Sequence, residues 1–338
     1  MNRTAIVILN YNGRDLLRKF LPSVIRYSPG IKIIIADNHS SDGSADLVQR
    51  EFPTVEWIQL DQNFGFCEGY NLALKKVVAE YYVLLNSDVE VTPGWLEPLI
   101  QLLDANPFVA AAQPKILSYQ QRETFEYAGA GGGFIDALGY PFCRGRIFNS
   151  TEEDKGQYND NRPVFWATGA CMIVRADLFR SMGGFDEDFF AHMEEIDLCW
   201  KLNRAGHKVY YSGESRVYHV GGGTLPQGNS RKTFLNFRNG LRLLYKHMSA
   251  TELFWKLPVR IFLDWMAAIR FLGAGSPKDS WAVVRAHLHF IGGLRKCYRK
   301  RKALIDTLGT FTTQQIYHRS IIVDYFLLGK RDFTDLKF

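Results

Sequence analysis

Cysteine is scarce in this sequence, and its spacing excludes two kinds of small structural site. The 338 residues contain five cysteines, and no two of them form a CxxC pair. Structural zinc sites and disulfide frameworks use paired or densely spaced cysteines, so we expect neither. A reducing, cytoplasmic compartment fits this usage best.

Long apolar runs are also missing. No stretch of about 20 uninterrupted apolar residues occurs, so the sequence predicts no transmembrane helix. The first residues read MNRTAIVILNYNG, and their apolar run is too short for the core of a signal peptide. We therefore interpret it as a first β-strand.

The common glycine-rich phosphate-binding motifs are absent as well. No GxGxxG follows the first predicted strand, and GxxxxGK[ST] occurs nowhere. These absences disfavour a dinucleotide-binding fold and a P-loop. A nucleotide can instead be held by carboxylate and amide groups.

Strands and helices alternate over the first third of the chain. Apolar runs predict buried strands, and helical spacing of apolar residues predicts the helices between them. This alternation indicates an α/β fold with a mostly parallel central sheet flanked by helices. Residues 118–163 read as irregular connections and mobile loops, and the pattern changes near residue 249. We therefore expect one domain over 1–248 and a basic, aromatic helical extension over 249–338. The predicted strands are 4–10, 31–37, 55–60, 81–86, 108–113, 164–174 and 208–212; the predicted helices are 14–27, 44–52, 68–79, 95–105, 190–205 and 229–247.

Polar residues follow the predicted strands, where ligands bind in an open parallel sheet. Asp37 can accept the imide N–H of a uracil, thymine or guanine ring. Asp88 next to a diphosphate requires a cation between the two anions, and Mg²⁺ or Mn²⁺ prefers such oxygen ligands. His219 is a candidate further ligand. The polar residues at these strand ends are Asn10, Tyr11, Asp37, Asn38, Ser40, Asp42, Asn63, Gly65, Ser87 and Asp88.

A second acidic group lies at the predicted start of a helix. Glu194, Glu195 and Asp197 occur within four residues. A helix N-terminus stabilises one or two such charges, by roughly 0.3–1 kcal/mol each. A third is better explained by a site that needs a general base, because like charges and partial burial raise a carboxyl pKa.

Seven segments in this order resemble family 2 glycosyltransferases of the GT-A fold, of the bacterial kind that includes rhamnosyltransferases. The resemblance covers about residues 4–247. It rests on VILNYNG, IADNHSSDGS, NFGFCEGYN, LLNSDVEV, GACMIVRADLFRSMGGFDEDFF, EEIDLCWKLNRAGHKVYY and VYHVGGGT.

The resemblance implies a role for each matching residue. It implies that Glu195 is the general base of an inverting transfer, with Glu194 as the alternative. Asn86-Ser87-Asp88 corresponds to the family's DxD motif with only the final acid kept, so Asp88 and His219 would hold the metal. The other implied residues are Asn10, Tyr11, Asp37, Asn38, Ser40, Asp42, Asn63, Gly65, Asn71 and Ser87 at the nucleotide or donor, and Gly169, Ala170 and Asp197 on the sugar or acceptor side. Arg238 is a further candidate for pairing with phosphate.

The expected activity is therefore metal-dependent transfer from a dTDP-, UDP- or GDP-linked sugar. The acceptor would be a glycan or a lipid-linked glycan in cell-surface polysaccharide synthesis. Two alternatives remain open: a protein that binds a nucleotide sugar without transferring it, and a nucleotidyltransferase. We do not expect nucleic-acid binding, because the basic cluster at 294–304 is short and lies outside the sheet domain.

The C-terminal extension predicts a peripheral contact with the cytoplasmic face of the inner membrane. Aromatic and aliphatic residues dominate 253–271, while Lys256, Arg260, Asp264 and Arg270 interrupt them. Such charges suit a helix in the interface and disfavour one that crosses the bilayer. The alternative is a helical lid packed on the sheet domain, or an oligomer contact.

Overall fold

The computed structural model describes residues 3–221, 229–309 and 315–338, which form two β-sheets surrounded by helices. Part of the VYHVGGGT segment, residues 222–224, lies outside the described residues. The strands are β1 (Thr4–Asn10), β2 (Lys32–Asp37), β3 (Glu56–Gln59), β4 (Tyr81–Asn86), β5 (Val89–Val91), β6 (Val109–Ser118), β7 (Gly133–Asp136), β8 (Pro141–Cys143), β9 (Arg146–Ile147), β10 (Ser150–Thr151), β11 (Asn161–Val164), β12 (Cys171–Arg175), β13 (Lys208–His219) and β14 (Ile316–Tyr317). The helices are α1 (Arg14–Arg26), α2 (Ser44–Glu51), α3 (Gly65–Leu74), α4 (Glu97–Ala105), α5 (Ala176–Ser181), α6 (Glu194–Arg204), α7 (Ser230–His247), α8 (Ala250–Gly273), α9 (Pro277–Gly292) and α10 (Leu294–Leu308).

The N-terminal half of the large sheet is parallel, as the alternating pattern predicts. Its strands run in the order β4-β1-β2-β3, and each neighbouring pair is parallel. Along β1, Ala5 and Val7 pack into the core on one face, while Ile6 and Ile8 pack into the core on the other. Burial on both faces explains why this strand reads as a continuous apolar run.

The other half of the sheet is mixed. β12 lies between β4 and β6 and is antiparallel to both, and β13 is parallel to β6 but antiparallel to β5 and β11. β13 continues seven residues beyond the predicted end at residue 212. Its last residue, His219, pairs with Val89 of β5 and so lies next to Asp88.

The segment predicted as irregular, residues 118–163, instead forms most of a second sheet. This sheet has the order β10-β9-β8-β7-β14, and the segment that contains it has buried aromatic side chains, among them Phe125, Phe134, Phe142 and Tyr158. The prediction of mobile loops here was wrong. Strands of two to four residues are too short to show an apolar period in the sequence.

The C-terminal segment packs back onto the rest of the chain. Helix α7 contacts α8, α9 and α10. After α10 the chain returns to the small sheet, where β14 pairs with β7 and Phe333 and Phe338 stack against Phe134. The extension is therefore helical only in part. Within the described ranges, no helix is both long enough and apolar enough to cross a membrane.

Candidate active site

The ends of β1, β2 and β3 meet at a buried carboxylate, Asp37. Its side chain accepts hydrogen bonds from the Asn10 amide at 2.9 Å, the Ser40 backbone N–H at 2.8 Å and the Gln59 amide at 3.0 Å, and the Ser40 hydroxyl is a fourth donor. Asp37 is 1% exposed. Both carboxylate oxygens are therefore already engaged within the chain, and Gln59, which sequence reasoning missed, is one of the partners.

Polar side chains of the loop after β2 hydrogen-bond to the start of α1 and to the segment between β3 and α3. Asp42 accepts from the backbone N–H of Arg14 at 2.8 Å and so ties the loop to the start of α1. Asn38 donates to the Asn63 side chain at 3.0 Å and to the Gly65 carbonyl at 2.9 Å. Asn38 thus links the ends of β2 and β3 and shapes this edge of the sheet.

Residue 65 must be a glycine because the ring of Phe190 leaves no room for a side chain there. Its φ is +75°, and a Cβ built there would lie 2.7 Å from the ring of Phe190. The backbone N–H groups of Phe66 and Cys67, in the first turn of α3, donate to the Phe190 carbonyl. The start of α3 therefore holds the chain four to five residues before the two predicted bases.

Ser87 and Tyr11 lie at the same edge of the sheet. A Cβ built at Gly13 would lie 2.5 Å from the Asn10 side chain and 3.5 Å from the Ser87 hydroxyl, so Ser87 is next to the β1 loop. Tyr11 is 52% exposed. Its ring is thus accessible to a ligand bound over the strand ends.

A buried trio joins the end of β4 to the end of β13. Nε2 of His219 lies 3.1 Å from Oδ1 of Asp88, and Nδ1 lies 3.1 Å from Oε2 of Glu126. All three side chains are buried. The structure brings together the predicted pair and adds Glu126, which lies in the segment that sequence reasoning treated as a loop.

The charges in this trio support one another. Burial alone would lower the pKa of His219, but the contacts with Asp88 and Glu126 outweigh it and raise that pKa to about 10. Burial would raise the pKa of each carboxyl, yet the imidazolium keeps both values below their ordinary range. The trio therefore holds an imidazolium between two carboxylates.

The second acidic group lies beside the end of β4. Ala170 accepts a backbone hydrogen bond from Asn86, the last residue of β4, at 2.9 Å. A Cβ built at Gly169 would lie 4.0 Å from Oε1 of Glu194. The predicted residues Gly169 and Ala170 thus connect the acidic pair to the strand end that leads to Asp88.

Glu194 and Glu195 contact each other and have no cation between them. Burial and then the Glu195 carboxyl raise the pKa of Glu194 well above its ordinary value. Burial raises the pKa of Glu195 to about 7. The Oε2 atom of each side chain is buried with no hydrogen-bond partner among the described residues. Buried acceptors without a partner are what a site that receives a ligand or a proton presents, although the described residues contain other such atoms as well.

The backbone before the pair is strained, and one side chain binds three of its carbonyls. Phe190, His192 and Met193 all have φ between 66° and 74°, a region that costs a non-glycine residue about 1–3 kcal/mol. Asn239 of α7 donates its amide to the carbonyls of Phe189, Ala191 and His192, all within 3.0 Å. Asn239 was also missed from the sequence, because nothing local marks one asparagine within a helix.

Three predicted residues lie behind the site rather than in it. Asp197 is fully buried, 2.6 Å from Lys246 and 2.8 Å from His247. Arg238 donates to the carbonyls of Asp188 and Phe189. Asn71 exchanges two hydrogen bonds with the backbone of Phe185. The structure thus does not bring them to the strand ends, and their substrate-binding roles stay predictions.

The comparison with known families settles the class of protein. The model of the family "Glycosyl transferase family 2" matches residues 5–183, which is more than half of the chain. This protein is a family 2 glycosyltransferase. The assignment agrees with the resemblance found in the sequence and disfavours a nucleotidyltransferase.

Curated relatives of this glycosyltransferase include two that are named as rhamnosyltransferases. The N-acetylglucosaminyl-diphospho-decaprenol L-rhamnosyltransferase of Mycobacterium tuberculosis is 25% identical over 89% of this chain and 97% of its own length. The rhamnosyltransferase WbbL of Escherichia coli K12 is 25% identical over 63% of this chain and 82% of its own length.

Solved structures confirm the GT-A fold of this glycosyltransferase. GalNAc-T7 with UDP, GalNAc and Mn²⁺ has a TM-score of 0.58 at 15% identity, over 90% of this chain and 56% of that chain. The mannosyltransferase PcManGT of Pyrobaculum calidifontis, in complex with GDP-Man and Mn²⁺, has a TM-score of 0.52 at 15% identity, over 90% of this chain and 85% of that chain.

Proposed function

We propose that this glycosyltransferase moves a sugar from a nucleotide diphosphate to a hydroxyl of a glycan or lipid-linked glycan, with inversion at the anomeric carbon. The observation that carries the proposal is the Glu194–Glu195 pair. It combines raised carboxyl pKa values with a buried, unpartnered oxygen on each side chain, next to the end of β4. A carboxyl with a pKa near the operating pH is suited to general-base catalysis.

Glu194 and Glu195 form a coupled pair of carboxyls with raised pKa values. They titrate as a pair, so one is protonated while the other is ionised. The pKa of each carboxyl is raised, that of Glu195 to about 7, and we assign Glu195 as the member of the pair that acts as the base, as the family resemblance implies. Glu195 then accepts the proton of the acceptor hydroxyl, and that oxygen attacks the anomeric carbon from the face opposite the leaving diphosphate.

Asp88 and His219 would hold a divalent metal once Nε2 of His219 has released its proton, because a histidine that ligates a metal is neutral. Adjacent ligands of an octahedral ion bound at about 2.1 Å lie roughly 3 Å apart, and Oδ1 of Asp88 lies 3.1 Å from Nε2 of His219. The described part of the chain contains no group of three or more metal-ligating side chains, so the donor's diphosphate and water would complete the ligand set, as is common for Mg²⁺. A bound Mg²⁺ or Mn²⁺ would offset the negative charge that grows on the leaving group.

Glu126 acts on this site through His219. A histidine that ligates a metal almost always presents its other ring nitrogen to a carboxylate, a carbonyl or water, which fixes the ring's orientation and tautomer. Glu126 lies on the Nδ1 side of His219 and leaves Nε2 directed toward Asp88. We therefore assign Glu126 as a positioning residue.

The relatives suggest which substrates to try first. Two of them are named as rhamnosyltransferases, one of which acts on a diphospho-decaprenol acceptor. The two solved structures contain UDP or GDP-mannose together with Mn²⁺. Rhamnose linked to a nucleoside diphosphate is thus the first donor to test, with a polyprenyl diphosphate-linked glycan as acceptor.

Mass spectrometry of the purified full chain with a panel of dTDP-, UDP- and GDP-sugars tests the proposal. We expect one donor to be consumed in the presence of divalent metal and acceptor, and EDTA to stop the reaction. Donor binding without turnover, with both lipid-linked and soluble glycan acceptors, would instead favour a protein that binds a nucleotide sugar without transferring it.

A further inference from the structure

Helix α8 has its polar residues inside and its apolar residues outside. The residues that face the protein are Lys256, Arg260, Asp264 and Ala268, spaced four apart, and all four are buried. A helix on the surface of a protein in water shows the opposite arrangement, with an apolar stripe toward the core and charges toward solvent.

Two residues of the inward polar stripe, Arg260 and Asp264, contact the domain, while Lys256 pairs with Glu252 of the same helix. Arg260 donates to Asp264 at 3.0 Å and to the carbonyls of Leu138 and Gly139, and its guanidinium lies 3.6 Å from the centre of the Tyr140 ring. Asp264 also accepts from the Tyr140 hydroxyl at 3.0 Å. Three of the four charges that the sequence suggested would interrupt an apolar surface, Lys256, Arg260 and Asp264, therefore point away from it, while Arg270 is exposed.

The outward side of α8 is a continuous apolar face. Six of its large side chains are between 50% and 87% exposed: Phe254, Trp255, Phe262, Met266, Ile269 and Leu272. Leu327 and Leu328 are exposed as well, in a segment that contacts α8 where Arg270 lies over the Phe326 ring. We call these eight side chains the apolar face. Contiguous exposed apolar surface of this kind marks an interaction site.

The surrounding segment is positively charged, and this favours an anionic partner, although Lys296 and Lys300 are already paired with Asp188 and Asp186. Residues 249–338 carry 15 Lys and Arg against seven Asp and Glu, a net charge of +8, whereas residues 1–248 carry 26 against 28, a net charge of −2. Arg270 and Arg331 lie beside the apolar face, over the rings of Phe326 and Tyr325. A second copy of the chain would bring two positive segments together, which like-charge repulsion opposes.

We propose that the apolar face docks on the surface of an anionic phospholipid bilayer, with α8 lying in the plane of the interface. Aromatic and aliphatic side chains on one side of a helix with arginines at its border match the way interfacial helices bind membranes. Each Lys or Arg near an anionic leaflet contributes further attraction. This docking goes beyond the transfer reaction and concerns where the enzyme meets its acceptor.

Flotation of the full-length chain with phosphatidylglycerol–phosphatidylethanolamine vesicles tests the proposal, with phosphatidylcholine vesicles for comparison. We expect binding to the anionic vesicles that weakens at high salt. The triple variant Phe254→Ser, Phe262→Ser, Ile269→Ser should lower the partition coefficient at least about tenfold, because three exposed apolar side chains no longer enter the interface. The matched control Val78→Ser, Phe108→Ser removes two equally exposed apolar residues outside the C-terminal segment and should bind like the wild type.

Three outcomes would overturn the proposal. The first is that the wild type does not bind at low salt, and the second is that the triple variant binds as well as the control does. The third is that, without vesicles, the triple variant shows a lower association state than the wild type in analytical ultracentrifugation. That result would assign the face to a second copy of the chain. Circular dichroism would verify that each variant is folded. No donor or acceptor is present in these assays, so their failure leaves the proposed transfer reaction intact.

Discussion

Two groups of carboxyls lie near the end of β4, and they differ in whether a cation lies beside them. Asp88 and Glu126 flank the imidazole of His219, and the pKa values of both carboxyls are lowered. Glu194 and Glu195 form no ion pair with a cation of the described residues, and burial outweighs their backbone hydrogen bonds and raises the pKa values of both. Asp197, which lies in the same helical turn as the two glutamates, is instead paired with Lys246 of α7. The partner, rather than the residue type, thus decides which acids hold charge and which exchange a proton.

Removing the proton acceptor should have the largest effect and would test the acidic-pair half of this comparison. Glu195→Gln should lower the turnover rate about a hundredfold to ten-thousandfold, with nucleotide affinity unchanged, because the amide has the same shape but cannot accept a proton. In the wild type the base must be ionised, so the rate should rise with pH and level off above the Glu195 pKa of about 7. Undiminished turnover in the variant would exclude Glu195, and Glu194→Gln would then be the variant to measure.

The melting temperature of the same variant provides an independent control. Because the folded state raises the Glu195 pKa, the folded protein binds the proton more tightly than the unfolded chain. Stability is therefore lost as the pH rises from the ordinary glutamate value through about 7. Glutamine has no such loss, so the variant should melt higher than the wild type above that pH. A lower melting temperature there would show that Glu195 has an ordinary structural role.

An intermediate effect is expected from the other half of the comparison. Glu126→Gln should weaken Mn²⁺ binding, measured by electron paramagnetic resonance with a nucleoside diphosphate present, by about ten- to a hundredfold. His219→Ala, which removes a ligand, should weaken it more. Glu90→Gln is the matched control, since Glu90 lies on the neighbouring strand β5 and pairs with Arg122 at the surface. Unchanged Mn²⁺ affinity in Glu126→Gln would show that Glu126 does not position His219.

The smallest effect concerns a carboxylate that belongs to neither group. Asp37→Asn should weaken nucleoside diphosphate binding in calorimetry about tenfold. The asparagine replaces one acceptor oxygen by an NH₂ group, which cannot accept from the donors that bind Asp37, so the loop after β2 should shift. The exposed Asp46, on the first turn of α2, provides the control Asp46→Asn. An unchanged affinity would place nucleotide recognition away from this loop.

The sequence predicts the parallel half of the fold well because that half is built from local periodic signals. The predicted bounds 4–10 and 81–86 match β1 and β4, and the helices that begin at Arg14 and Ser44 begin where expected. The small sheet was not predicted, because its strands of two to four residues carry no period. In the candidate site, Asp88, His219, Glu194 and Glu195 were predicted from motifs and stay predictions. Glu126, Gln59 and Asn239 are connected to the site by contacts that only the folded chain creates. The orientation of α8 was missed for the same reason, since the partners of Arg260 and Asp264 include Tyr140, more than a hundred residues away.

The hydrogen bonds from Asn239 to the backbone before Glu194 bear on how far this enzyme can be shortened. The helix that carries Asn239 rests on residues beyond the predicted boundary at 248: Phe234 and Leu235 share a small core with Ala282 and Ala286, and Lys300 pairs with Asp186. A chain trimmed at 248 would retain the family motifs in its described part, yet its strained acidic segment would lose the scaffold behind α7. We therefore expect the smallest active unit of this enzyme to reach well into residues 249–338, beyond the end of the family match at residue 183.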